Sequence, residues 1–231
     1  MLRLGIEMTI TYHPELEQGS LEWMQLRCGI ITASEMKRVV SLTDKPTKAD
    51  KKKVKVHLYE LLAQRLNSYV EPQYVGDAML RGHEDEIYAC IAYEKNIAPI
   101  EKCGFITNDE WGFTIGYSPD GLVGDDGLIE CKSRIQKYQT ETIITQEVPE
   151  EYVLQLQTGL LVSGRKWIDF ISYSGGMPMF VKRVLPDLEM QEIIIRQCKE
   201  FEADLQAELT RYQENSKGLI LTERRVYEEI V

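Results

Sequence analysis

The sequence predicts an α/β fold, a central mixed β-sheet flanked by helices, on three observations. The first hundred residues carry apolar side chains at helical spacing, and residues 100–132 break into short strand-like segments punctuated by Asn, Asp and Gly. A helix, a strand pair and a long amphipathic helix follow. Elements in that order place the strands in one layer with helices packed against it. The 231 residues read as one domain ending in an acidic helical segment from about residue 187 to 231.

Taken in order, residues 20–27 form a short helix that Gly29 ends, and Thr32-Ala33-Ser34-Glu35 has the form of a capping box opening a second short helix through Val40. Residues 41–50 read as a loop. Residues 51–66 place Val54, Leu58, Leu61, Leu62 and Leu66 at helical spacing. In the next helix, 76–95, Met79, Ile87, Cys90 and Ile91 are the expected buried stripe, with Glu86 beside it and able to face inward. Strands over 100–107, 113–117, 121–123 and 128–132 form a meander with turns at 108–110 and 124–127. Residues 150–161 make a helix with Val153, Leu156 and Leu160 on one face, 166–173 and 179–185 pair as strands, and 187–215 close the chain as a helix.

No apolar run approaches the roughly 18 residues that span a bilayer, and residues 1–7 lack a signal peptide's long apolar segment, so a cytosolic protein is expected. Cys28, Cys90, Cys103, Cys131 and Cys198 are odd in number and scattered, with no C-x-x-C pair and only three histidines in the chain, so neither a disulfide framework nor a zinc site is expected. The net charge of −10 opposes simple nucleic-acid binding, but it is unevenly spread. Residues 37–55 hold eight Lys/Arg against Asp44 and Asp50, whereas residues 187–231 hold eleven acids against six bases. Such runs are ordinarily solvated surface; here a basic face beside an acidic site is the alternative.

The chemistry concentrates in Ser118-Pro119-Asp120-Gly121 and Leu128-Ile129-Glu130-Cys131-Lys132. Side chains alternate along a strand, so Glu130 and Lys132 share one face while Ile129 and Cys131 share the other. Two carboxylates with one ammonium suit divalent-metal hydrolysis of a phosphodiester. Pro-Asp at a turn and Glu-x-Lys on a strand are each commonplace alone, as a turn dipeptide and a surface ion pair. Their combination favours the site. Glu86, otherwise one of a solvated acidic run, supplies a further carboxylate for a second cation. Gln155 and Gln157 lie about 200° apart around one helix and cannot both face the site. Arg27, Ser34 and the backbone amides near Thr32 form a candidate anion pocket, although a surface ion pair is an equal reading for Arg27.

These residues resemble the lambda-exonuclease-like, YqaJ-type family of the PD-(D/E)xK nuclease superfamily. The matching stretches are Trp23-x-x-Leu26-Arg27-x-Gly29-Ile30-Ile31-Thr32-Ala33-Ser34-Glu35, Gly82-x-x-x-Glu86, Ser118-Pro119-Asp120-Gly121-Leu122, Leu128-x-Glu130-x-Lys132 and Gln155-x-Gln157. The resemblance implies a restriction-endonuclease-like core and a single nuclease domain. It implies an exonuclease that degrades one strand of linear double-stranded DNA from its 5′ end, leaving 3′ overhangs for recombination. It implies Mg²⁺, with Mn²⁺ as a substitute, held by Asp120, Glu130 and the Cys131 carbonyl, with Glu86 at a second metal. By the same correspondence Lys132 is the catalytic lysine, Gln155 the active-site glutamine and Asp109 a further acid. Arg27, Thr32 and Ser34 bind the 5′ phosphate, and Gln157 is available for a DNA contact. The family further implies a homotrimeric ring, a single-strand annealing protein as partner, and a phage or prophage protein in the bacterial cytoplasm.

Two other functions use the same residues. An endonuclease or single-strand nuclease would share the chemistry, because the surrounding loops select the substrate. A non-catalytic DNA-binding recombination accessory would leave Lys132 without a duty.

Overall fold

The computed structural model describes residues 10–43, 45–71 and 76–224, without the side chains of 77–79. Expectations for residues 1–7, Asp44, the Met79 side chain and residues 225–231 lie outside the described residues.

Among the described residues, eight strands form two mixed four-stranded sheets rather than one. The first holds β1 (Ile10–His13), β3 (Phe105–Asn108), β4 (Ile115–Tyr117) and β2 (Ile31–Thr32) in that spatial order. The second runs β5 (Gly121–Val123), β6 (Gly127–Ser133), β7 (Trp167–Tyr173), β8 (Phe180–Val184). The expected meander is therefore two hairpins in different sheets, and the chain crosses between them over Ser118, Pro119 and Asp120.

β6 and β7 run parallel, with Glu130 opposite Phe170 and Lys132 opposite Ser172. A parallel pair needs a long crossover, supplied here by α4 (Gln136–Thr145) and α5 (Glu150–Ser163). Periodicity missed α4 because its two buried side chains are the polar Gln139 and Thr142. Gln139 bonds to Ser172 and to the Pro178 carbonyl, fastening α4 to β7.

The remaining helices are α1 (Leu21–Arg27), α2 (Lys48–Asn67), α3 (Asp77–Asn96) and α6 (Leu188–Asn215). Ser20 caps α1 by accepting from the Trp23 amide. The capping box expected at Thr32 and Glu35 does not form. Thr32 is paired with Gly116 in β2, its hydroxyl faces Ser34, and Ala33–Arg38 is a 3-10 turn. A capping box forms instead at Thr47 and Asp50, so α2 begins three residues before its expected start. Its first turns leave Lys48, Lys51, Lys52, Lys53 and Lys55 exposed, while His57, Leu58, Leu61 and Leu62 are buried.

The larger core lies between the sheets and α2, α5 and α6, through Leu61, Ile106, Leu128, Leu156, Phe170 and Phe201. A smaller core on the other face of the second sheet joins α3 to Val123, Ile129, Cys131 and Ile171. There Ala89 and Tyr93, not Ile87 and Ile91, are buried; both isoleucines are more than half exposed. α3 is anchored by a polar clasp, in which Tyr93 Oη donates to Asp169 Oδ2 at 2.7 Å and Arg183 forms two hydrogen bonds to the same carboxylate at 2.8 and 2.9 Å. Burial and the Asp169 charge push the Tyr93 phenol up from its usual range. No helix among the described residues is long and apolar enough to cross a membrane.

Tyr93→Phe removes one bond to Asp169 while Arg183 keeps the carboxylate paired, so the expected cost is about 1–2 kcal/mol, read from urea unfolding. An unchanged unfolding midpoint would remove the clasp as an anchor of α3.

Candidate active site

Alternation along β6 sends Ile129 and Cys131 to the α3 core and turns Glu130 and Lys132 toward α5. Glu130 is 2% exposed, and three donors meet it. Tyr117 Oη donates to Oε2 at 2.8 Å; Lys132 Nζ and Gln155 Nε2 donate to Oε1 at 2.7 and 2.5 Å. A buried carboxylate needs such partners, since an unpaired one costs several kcal/mol, on the order of 3–5.

Asp120 ends the crossing between sheets, and its Oδ2 accepts the Cys131 amide at 2.5 Å. That bond docks the crossing onto β6. It also puts Asp120 beside Glu130 and Glu86, and burial together with these two charges pushes the Asp120 carboxyl well above its usual range. Glu86 is pushed up by burial and by Glu130, against the pull of His83 and Lys132. Burial works to lower Lys132, but the Glu130 and Asp120 charges outweigh it and hold the ammonium protonated. Three carboxylates against one ammonium leave an excess of two negative charges when all are ionised. That donor set, oxygen-rich and short of positive charge, fits a hard divalent cation.

Further side chains set these groups in place. Gly159 on α5 lies where a Cβ would come within 2.8 Å of the Tyr117 ring, so the missing side chain admits the phenol that holds Glu130. The Lys132 ammonium lies 5.6 Å from the Tyr152 ring, and Tyr152 Oη accepts from Arg134 Nη1 at 2.9 Å. Ser133 Oγ donates to Asp85, tying the end of β6 to α3 next to Glu86. Tyr117, Ser133 and Tyr152 escaped the sequence reading. Tyr152 carried a signal, standing three residues before Gln155 on one helix face.

A second polar group adjoins the crossing. Arg27 Nη1 donates to Ser118 Oγ at 3.0 Å, and Trp23 Nε1 donates to the same oxygen at 3.1 Å. The guanidinium stacks 4.2 Å from the Trp23 ring. Burial pulls Arg27 down from its usual pKa, while Glu35 pulls it back up. This is a partly desolvated cation, not the surface ion pair that was the equal reading. Ser34 is exposed on the 3-10 turn beside Glu35, and Thr32 is buried with its hydroxyl 3.4 Å from that of Ser34.

Two predicted residues are placed otherwise. Gln157 is buried, donating to the Leu185 carbonyl and accepting the Asp187 amide, so it joins α5 to the start of α6 and is not open to DNA. Asp109 is exposed on the turn after β3.

The raised Asp120 pKa has a consequence for stability. Folded protein binds that proton more tightly than unfolded chain, so the stability is fully present below the unfolded carboxylate pKa and is lost as pH rises through the folded one. Without metal at neutral pH, Asp120→Asn is therefore expected to melt higher than wild type, by roughly 2–4 °C per kcal/mol recovered in a domain of this size. The two melting curves should converge in acid. A lower melting temperature for the variant at neutral pH would contradict the charge crowding.

The model of the YqaJ-like viral recombinase domain matches residues 22–166, a stretch that contains Arg27, Glu86, Asp120, Glu130, Lys132 and Gln155. Among solved structures, the alkaline exonuclease LHK-Exo from Laribacter hongkongensis is 31% identical, with a TM-score of 0.75 over 87% of this chain and 100% of that one. The same protein in complex with dAMP matches at 32% identity and 0.76 over the same shares. A phage-related exonuclease from Haemophilus somnus, 14% identical with a TM-score of 0.55 over 80% of this chain and 99% of that one, shares the fold. No curated protein sequence matches the chain. The fold is restriction-endonuclease-like, and with the profile covering more than half of its length the chain belongs to the YqaJ-like viral recombinase family.

Proposed function

We propose that this chain is a Mg²⁺-dependent 5′-to-3′ exonuclease that degrades one strand of linear double-stranded DNA and leaves 3′ overhangs for recombination. Family membership alone makes it a deoxyribonuclease of exonuclease type. The finer reading is carried by the meeting of Glu130, Lys132 and Gln155 at β6 with Asp120 docked on the next residue's amide.

Asp120, Glu130 and the Cys131 carbonyl would hold the cation, with Glu86 available to a second one. When bound, Mg²⁺, or Mn²⁺ in its place, supplies Lewis-acid polarisation of the phosphodiester and an acidified water. Lys132, kept protonated by its acidic neighbours, contributes positive charge where negative charge develops and orients a water through its free N–H bonds. It is no base at neutral pH. Gln155 holds Glu130 Oε1 through Nε2 and keeps its own carbonyl free to accept from that water. Arg27 with Ser118 offers a terminal phosphate a half-buried guanidinium and a hydroxyl, with Ser34 at its edge.

The dAMP bound by LHK-Exo is a mononucleotide, the product expected of stepwise removal from an end. The exposed lysines of α2 give the polyanion a basic approach despite the overall charge. A ring-shaped trimer is part of the same proposal, supported by the exposed Leu80, Ile87, Tyr88 and Ile91 on α3. A single-strand annealing partner and a phage or prophage origin in the bacterial cytoplasm complete it.

Alanine at Asp120, Glu130 or Lys132 is expected to lower nucleotide release from linear duplex by about 10²–10³-fold or more, measured with and without Mg²⁺. Closed circular duplex should survive the wild-type protein; its cleavage would point to an endonuclease. Removing the 5′ phosphate should slow digestion, and Arg27→Ala should erase about 10–100-fold of that preference, the worth of one charged hydrogen bond. Equal rates on both kinds of end would refute the phosphate pocket.

A further inference from the structure

Away from the acids of β6, the 3-10 turn meets α2 in a second cluster. Glu35, His57 and Glu60 each offer a ligand atom, and these atoms all lie within 4.8 Å of one another. Arg38 spans the two acids, donating to Glu35 Oε1 at 2.8 Å and to Glu60 Oε2 at 2.5 Å. His57 is 1% exposed, with Phe201 of α6 packed against its ring at 5.9 Å. Its Nδ1 lies 3.2 Å from Glu60 Oε2, and its Nε2 is buried without a hydrogen-bond partner, 3.8 Å from Glu35 Oε2.

A neutral imidazole, the form that binds a metal, carries its one proton on Nδ1 or Nε2, and the contacts favour Nδ1. With the proton on Nε2, the Nδ1 lone pair would face the Glu60 carboxylate at 3.2 Å, acceptor against acceptor, while the N–H pointed at Glu35 over a distance too long for a hydrogen bond. With the proton on Nδ1, Glu60 is satisfied and Nε2 presents a bare lone pair. That lone pair and Glu35 Oε2, 3.8 Å away, are then two electron-rich atoms facing each other. Ligands sharing a tetrahedral ion at about 2.1 Å stand roughly 3.4 Å apart, close to the separation here. Carboxylate, imidazole and vacant lone pair in a row is the arrangement that orients a metal-binding histidine. Two carboxylates against the Arg38 guanidinium leave an excess of one acidic group around the ring.

We propose that His57 Nε2 and Glu35 form a second cation site, distinct from the acids of β6, for a first-row divalent ion of the zinc type, with Glu60 orienting the imidazole. An imidazole ligand selects such an ion over Mg²⁺, which takes oxygen ligands. The cluster uses no cysteine, so the scattered thiols do not bear on it. Its occupancy joins the 3-10 turn to α2 and masks Glu35, whose charge acts on Arg27, and in this way couples the ion to the anion-binding end of the molecule.

The test uses the full chain stripped with a chelator, then loaded with Zn²⁺ in excess Mg²⁺, desalted and counted by mass spectrometry, with a thermal melt alongside. Wild type and Asp120→Asn should each retain about one Zn²⁺ per chain and melt higher with it. His57→Gln should retain none. Should His57→Gln fail to fold, Glu35→Gln, whose side chain is partly exposed, serves instead, with zinc affinity down by roughly tenfold or more and an unchanged zinc-free melt. Zinc absent from wild type, zinc lost from Asp120→Asn, or zinc bound equally by wild type and the His57 or Glu35 variant would each overturn the proposal.

Discussion

Everything at the acidic end of β6 depends on satisfying the buried Glu130 carboxyl group inside the protein. A carboxylate at 2% exposure is tolerated because a phenol, an ammonium and an amide from three different elements surround it. Those donors come from β4, β6 and α5, so the same contacts that satisfy one charge also fix the first sheet, the second sheet and the crossover helix about a point. Gly159 belongs to this constraint, since a side chain there would push away the Tyr117 ring. The acids are crowded beyond what apo stability favours, and the raised pKa values of Asp120 and Glu86 express that crowding.

The second sheet divides labour by parity. Even-numbered residues of β6 serve the polar site and the large core, and odd-numbered residues serve the smaller core under α3. Because α3 is held by the Tyr93–Asp169–Arg183 clasp and by Ser133 with Asp85, Glu86 is placed from the face opposite Gln155. The acids are thus approached from both sides of one strand. That arrangement is open to this sheet because helices cover both of its faces.

Period-two alternation made Glu130 and Lys132 legible, because it is a property of extended backbone that tertiary context cannot alter. Spacing also showed that Gln155 and Gln157 must part company, but not which would face Glu130; that depended on the backbone at Leu185 and Asp187, distant in sequence. On α3 hydrophobicity misled, since the bulky Ile87 and Ile91 were expected inside. The sheet takes in Ala89 and the long Tyr93 at that spacing, the latter for its hydroxyl, with Cys90 partly buried beside them. The capping-box pattern at Thr32 was overridden because its backbone is engaged in β2. The two-residue β2 and the polar α4 carried no periodic signal, being defined by partners rather than by their own composition.

The crossing between sheets is three residues long, with Ser118 at one end beside Arg27 and Asp120 at the other against β6. Two residues of extended chain span about 7 Å at most, close to the repeat of a nucleic-acid backbone. Ser118, bonded by Arg27, and Asp120, bonded by the Cys131 amide, are therefore spaced by covalent geometry, not by a loop that could breathe. Pro119 stiffens that ruler from within. In the proposed function, that fixed spacing sets how far a bound terminal phosphate stands from the cation-holding acids.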